Sequence, residues 1–339
     1  MVTRVALTGF GRIGRLTLRG IIESGRKDIE VVALNASGDI ENVAHLFKYD
    51  TTHGRYTGPL KTTKSTLNFG AGSHNGPIKV FNERDPANLP WADVGVDVVL
   101  ECTGAFNSKQ ASSAHLAAGA KRVLISAPAT DADLTVVYGV NHSKLRKSHK
   151  IISNASCTTN ALAPIAAVLD KLCGIEKGFM TTVHAYTGDQ RLVDNRHKDL
   201  RRARAAGQSM IPTSTGAARS LNLVLPKLEG RLGGTAIRVP TPNVSMIDLV
   251  FQANKKMTVE KVNAAMLSAS KTNLKGVLGI CDEPLVSNDF NHDPHSCIFD
   301  TTQTQIIGDN MVRVLAWYDN EWGFSMRMAD TAAAIGKLG

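Results

Sequence analysis

Cysteine is scarce in this chain: five residues in 339, at positions 102, 157, 173, 281 and 297. They are too few and too scattered for a disulfide framework, and no CxxC pair marks a zinc site, so no metal is expected. Each is by default a small buried hydrophobe unless its neighbours say otherwise. Also missing is any apolar run near the roughly 18 residues that a membrane span needs. The opening MVTRVALTGFGRIGR has no long apolar segment and no small-residue cleavage site, so no secretory signal and a cytoplasmic location are expected. No zinc finger, RNA-recognition signature or basic low-complexity tail accompanies the net charge of +9. The excess of Lys and Arg therefore reads as a surface suited to phosphorylated small molecules, not to nucleic acid as the main partner.

What is present suits two globular domains. The chain is 43% hydrophobic and 20% charged, and its length fits two units of roughly 100–200 residues. Strand-like runs at Arg4–Thr8, Glu30–Leu34, Val96–Leu100 and Val123–Ile125 alternate with helical stretches at Ile13–Ser24 and Ser108–Ala118. That alternation predicts βαβ units and a parallel sheet. The stretch Leu60–Val80, rich in Thr, Gly, Ser and Asn, reads as a hairpin excursion. After Ser156 the pattern changes. Ala161, Leu162, Ile165, Val168, Leu169 and Leu172 predict a helix over Cys157–Leu172, kinked by Pro164 and stopped by Gly174. Strand-like runs then recur at Phe179–Tyr186, Thr235–Val239, Ser245–Gln252, Ser296–Asp300 and Met311–Tyr318.

Gly9-Phe10-Gly11-Arg12-Ile13-Gly14 is a G-x-G-x-x-G that follows a strand and opens a helix. The first glycine permits the tight turn, the second lets backbone approach a pyrophosphate, and the third allows close helix–strand packing. The helix N-terminus offers unpaired N–H groups to phosphates. The fold class expected is therefore α/β: a Rossmann dinucleotide-binding domain over residues 1–156, with the C-terminal helix 322–339 packing back on it. An α+β catalytic domain with a mostly antiparallel sheet follows over 157–321. The acid that normally ends the second strand and holds the adenosine ribose is missing. Asn35, Ala36 and Ser37 stand there instead, and Asp39 lies beyond Gly38. An acid would repel a 2′-phosphate, so its loss favours NADP, to which Ser37 could donate.

Ser153-Asn154-Ala155-Ser156-Cys157-Thr158-Thr159-Asn160 puts a cysteine in the first turn of a helix, where backbone N–H groups favour a thiolate. With this block the chain resembles the phosphorylating glyceraldehyde-3-phosphate dehydrogenase family. GFGRIGR, HAYTGDQ, HKDLRRARAA, IPTSTGAA, RVPTPNVS and WYDNEWG fall in the family's order from one end to the other. The resemblance implies that Cys157 is the nucleophile and that His184 forms a thiolate–imidazolium pair with it and serves as acid–base. It implies glyceraldehyde 3-phosphate as substrate, its phosphate held by Thr187 and Arg238 with Asp189 supporting Arg238. Inorganic phosphate would meet Ser156, Thr158, Thr215, Gly216 and, more distantly, Arg202. Asn320 would bond the nicotinamide carboxamide and Tyr318 would wall the ring. Thr103, Gly104, Phe106 and Ser126 would line the cofactor cleft, and the assembly would be a homotetramer.

Several positions depart from the family pattern. Thr8 replaces an asparagine, and Ala161 stands where many members carry a second cysteine. Ala36 replaces the aspartate of NAD-using members, and Asn195-Arg196 replaces their Leu-Pro pair. Losing an acid and gaining the Arg196 guanidinium both favour a 2′-phosphate, so NADP is expected to be accepted and preferred over NAD. Erythrose-4-phosphate dehydrogenase is the nearest alternative, and an RNA-binding protein without catalysis is the alternative of another class.

Overall fold

The computed structural model describes residues 2–70, 76–129 and 131–339. Part of the predicted hairpin excursion, residues 71–75, lies outside them. The chain divides into two compact units, Met1–Ala155 with Ser325–Gly339, and Ser156–Phe324.

In the first unit the strands are β1 (Thr3–Thr8), β2 (Ile29–Asn35), the ribbon β3 (Tyr49–Asp50) and β4 (Gly54–Arg55), β5 (Lys61–Thr62), β6 (Thr66–Asn68), β7 (Ile78–Phe81), β8 (Val98–Glu101), β9 (Arg122–Ile125), β10 (Leu134–Thr135) and β11 (Ile151–Ser153). Helices α1 (Arg12–Glu23), α2 (Ile40–Lys48) and α3 (Lys109–Ala117) connect them. Among the described residues the sheet order is β10-β11-β9-β8-β1-β2-β7-β6-β5. It is parallel from β10 to β7, and β6 and β5 add an antiparallel edge. Strands buried on both faces read as unbroken apolar runs, as Val98-Val99-Leu100 does at 0% exposure.

The second unit opens with α4 (Cys157–Cys173), which runs on as one helix through Pro164 and ends at Gly174 with φ +71°. Glycine tolerates that left-handed conformation without a Cβ clash. Its sheet comprises β12 (Ile175–Ala185), β13 (Ile211–Thr213), β14 (Leu232–Val239), β15 (Ser245–Ala253), β16 (Leu278–Cys281), β17 (Cys297–Ile307) and β18 (Met311–Tyr318), in the order β13-β14-β12-β15-β18-β17-β16. Four of its six pairings are antiparallel; β12 with β14 and β16 with β17 are parallel. The expected α/β class with a mostly antiparallel second sheet is thus the observed one. Helices α5 (Ala217–Val224) and α6 (Val259–Lys271) pack on this sheet, and α7 (Trp322–Gly336) follows it.

Candidate active site

The first unit's chemistry gathers where β1 and β8 lie side by side and the chain leaves them in opposite directions across the sheet. Such a switch point opens a crevice at the carboxyl ends of parallel strands. Gly9 has φ +85°, and a Cβ there would sit 2.5 Å from the Thr103 nitrogen. A Cβ on Gly14 would sit 2.0 Å from the Gly9 carbonyl oxygen, whereas one on Gly11 would meet no protein atom within 4 Å. Two of the three glycines are thus required by the protein's own packing, and the middle one leaves an open cradle that a bound diphosphate could fill. The cleft encloses about 590 Å³. Of the predicted cofactor residues, Gly9, Phe10, Gly11, Asn35, Ser37, Thr103 and Phe106 line it.

Other predicted cofactor residues lie elsewhere. Arg12 is turned to a two-pronged pair with Asp50, at 2.5 and 3.2 Å, and holds that carboxyl down at about 2. Ile13, Gly14, Ala36, Gly104 and Ser126 are not in the cleft wall. Ala36 is buried, Asn35 uses its amide on Thr8 Oγ1 and on the Glu83 backbone, and Asp39 caps α2 by accepting from the Asn42 N–H. Arg15 and Arg84, which the sequence reading passed over, line the cleft.

In the second unit, Ser156 caps α4 by accepting from the Thr159 N–H at 3.1 Å, and Cys157 is the first helical residue. The preceding Ala155 is buried in the left-handed region at φ +57°, a conformation costing about 1–3 kcal/mol for a non-glycine residue. Cys157 Sγ lies 3.5 Å from His184 Nε2. His184 Nδ1 lies 2.7 Å from the Ala185 carbonyl oxygen, an acceptor, and 3.1 Å from Arg238 Nη1, a donor; the shorter contact favours the proton on Nδ1, which leaves Nε2 bare toward the sulfur. Parallel pairing of β12 with β14 sets Arg238 directly beside His184. The Arg238 Nη1 donates to the Ala185 carbonyl at 3.1 Å and to Thr187 Oγ1 at 3.3 Å. Burial and the Arg238 charge push His184 down to about 3. Burial also pushes the Cys157 thiol up, against the pull of Arg238 and of the helix-start N–H groups. The dry setting thus penalises the charged form of each partner, against which Arg238 and the helix-start N–H groups pull on the sulfur side.

Residues 156–320 match the family described as glyceraldehyde 3-phosphate dehydrogenase, C-terminal domain, and residues 3–109 match its NAD binding domain. A curated glyceraldehyde-3-phosphate dehydrogenase of Xanthobacter flavus is 61% identical over the full length of both chains. Those of Cereibacter sphaeroides and Zymomonas mobilis are 59% and 53% identical over 100% and 99% of this chain and of their own. The chain belongs to the glyceraldehyde 3-phosphate dehydrogenase family.

Three of the expected site residues are engaged within the protein itself. Tyr318 is fully buried: its hydroxyl bonds Thr158 Oγ1 at 2.9 Å and Thr182 Oγ1 at 2.8 Å, and its ring meets His184 edge-on at 5.9 Å. It braces the back of the Cys–His pair. The Thr158 hydroxyl bonds that of Tyr318, and the residue is buried. Asp189 pairs with Arg202 at 2.7 Å and with His197 at 3.4 Å, not with Arg238. Arg202 in turn donates to Thr213 Oγ1 and the Ser214 carbonyl, next to Thr215 and Gly216. Thr215 Oγ1 accepts from the Ala217 N–H at the start of α5. Asn320 is fixed by Ser245, whose hydroxyl donates to Asn320 Oδ1 at 2.7 Å and accepts from the Ala185 N–H. The Asn320 amide nitrogen is thereby turned away from Ser245. Arg196 is exposed, and its own carbonyl accepts from Arg191 Nε.

Proposed function

We propose that this chain oxidises D-glyceraldehyde 3-phosphate to 1,3-bisphosphoglycerate, reversibly, through a cysteine-bound acyl intermediate. The observation that carries the proposal is Cys157 Sγ at a helix start, 3.5 Å from a bare imidazole nitrogen. His184 takes the thiol proton as the sulfur adds to the aldehyde and returns it to the new oxyanion, giving a neutral thiohemiacetal on Cys157. The Cys157 N–H and His184 steady the oxyanion, while Thr187 and Arg238 hold the substrate phosphate. NAD(P), held by the glycine cleft of the first unit, would supply the hydride acceptor. His184 removes the hydroxyl proton, and a thioester is left on Cys157. Inorganic phosphate, held near Ser156, Thr215, Gly216 and Arg202, displaces the sulfur to release the acyl phosphate. Aldehyde-dependent reduction of NAD or NADP that needs phosphate and disappears in Cys157→Ala is expected. Turnover undiminished without phosphate would favour erythrose-4-phosphate dehydrogenase chemistry instead, and no turnover at all would leave an RNA-binding role standing.

NADP as the preferred cofactor is supported by the acid-free strand end. Ser37 and Arg84 line the cleft there, and Glu83, which lines it too, has its carboxylate engaged by the Asp85 N–H. Arg196 of a neighbouring copy would add a second cation. A kcat/KM for NAD tenfold or more above that for NADP would exclude this preference. A cytoplasmic homotetramer completes the proposal; Leu192 and Leu200, 85% and 81% exposed in the loop after His184, support self-association.

A further inference from the structure

Behind the cleft wall runs a line of buried polar groups that the proposed chemistry does not use. Glu101 closes β8 at 1% exposure, and His115 on α3 and Trp91 are fully buried. The Trp91 indole N–H lies 3.0 Å from His115 Nδ1, and His115 Nε2 lies 3.1 Å from Glu101 Oε2. An indole nitrogen only donates, so His115 Nδ1 must be the acceptor and Nε2 carries the proton that is given to Glu101. The other carboxylate oxygen accepts from the Thr103 N–H at 2.7 Å and from the Thr103 hydroxyl. That hydroxyl also accepts from the Ala105 N–H at 3.0 Å. One carboxylate therefore clamps both polar groups of Thr103. The clamped loop lines the cleft with Thr103, Ala105 and Phe106, and it presses on Gly9 so closely that a Cβ there would collide.

Burying a carboxylate is costly unless its lone pairs are satisfied. Here three donors satisfy it, and two of them belong to a residue of the cleft wall. We infer that Trp91, His115 and Glu101 form a positioning relay that fixes the tautomer of His115, the orientation of Glu101 and so the Thr103 loop for the dinucleotide. None of the three touches the cleft; they act through Thr103. The inference rests on the dinucleotide-binding reading of this cleft, and it adds determinants of cofactor affinity that lie outside the cleft wall.

The test measures NAD and NADP dissociation constants by calorimetry, together with kcat, both KM values and melting temperature, on the whole enzyme. Glu101→Gln puts an amide N–H against the His115 N–H, and His115→Phe removes the donor. Both are expected to weaken cofactor binding and raise cofactor KM roughly tenfold, as for a lost buried hydrogen bond. The kcat at saturating cofactor and the KM for aldehyde should stay within about twofold. His115→Gln, whose amide nitrogen can stand where Nε2 stands, should recover most of the loss. In a Thr103→Val background, His115→Phe should add little, because the effect passes through Thr103. If His115→Phe does not fold, Glu101→Gln runs the same cycle. Unchanged cofactor affinity, a joint fall of kcat with both KM values raised, or full additivity with Thr103→Val would overturn the relay while leaving the cleft reading intact. A wild-type chain that binds neither dinucleotide would overturn both.

Discussion

Arg238 stands 3.1 Å from the His184 ring while its Nη1 donates to Ala185 and Thr187, so the cation proposed to hold the substrate phosphate also depresses the base beside it. A protonated His184 would face that charge, which is part of why its pKa lies near 3. Removing the cation must raise it. Arg238→Gln is therefore expected to move the acid limb of the kcat/KM pH profile upward, toward the ordinary histidine range, while KM for the aldehyde rises; a limb that stays put would contradict the coupling. Tyr318→Phe leaves the Thr158 and Thr182 hydroxyls short of a partner in a dry site, costing about 1–3 kcal/mol in a denaturation series. Cys157 and His184 were legible because their motifs are local in sequence. Tyr318 and Asp189 were not. The Tyr318 partner Thr182 comes near only once β12, β15 and β18 are paired, whereas Asp189 meets His197 and Arg202 through the folding of the loop after β12.

At the scale of elements, α4 starts where a cap, a strained residue and the nucleophile follow one another. Ser156→Ala removes the acceptor for the Thr159 N–H and should cost about 1 kcal/mol, read as a drop in stability together with a slower reaction at Cys157. Gly14→Ala would drive a methyl into the Gly9 carbonyl; dinucleotide affinity is expected to fall in calorimetry while alkylation of Cys157 proceeds at the wild-type rate. The alternation of β1, α1 and β2 was readable from apolar runs and glycine punctuation. Helix α6 carries its own signal, a Thr258 cap with Val262, Met266 and Ala269 at helical spacing, but a region dominated by strand-like runs draws attention away from it. The fate of Arg12 was illegible for another reason: its Asp50 partner lies 38 residues on, and nothing local distinguishes a phosphate-facing arginine from one turned aside.

For the whole molecule, the two-sheet plan followed from a change of pattern near Ser156, since helices between strands force parallel crossovers while close-spaced strands permit antiparallel neighbours. The strand order did not follow, because β14 joins β12 in parallel across an intervening loop-rich segment. With Leu192, Leu200 and Met210 exposed on that segment, light scattering is expected to give a tetramer mass, and Leu200→Asp should shift it toward smaller species; a monomeric wild type would contradict self-association. The most direct measurement combines substrate aldehyde and NADP without phosphate, follows reduced dinucleotide in the first turnover, and weighs the quenched protein. A stoichiometric burst with an acyl adduct on the peptide bearing Cys157, released when phosphate is added, is the expected result. A burst with the adduct elsewhere, or reduction with no adduct in wild type and undiminished rate in Cys157→Ala, would contradict a sulfur-bound intermediate.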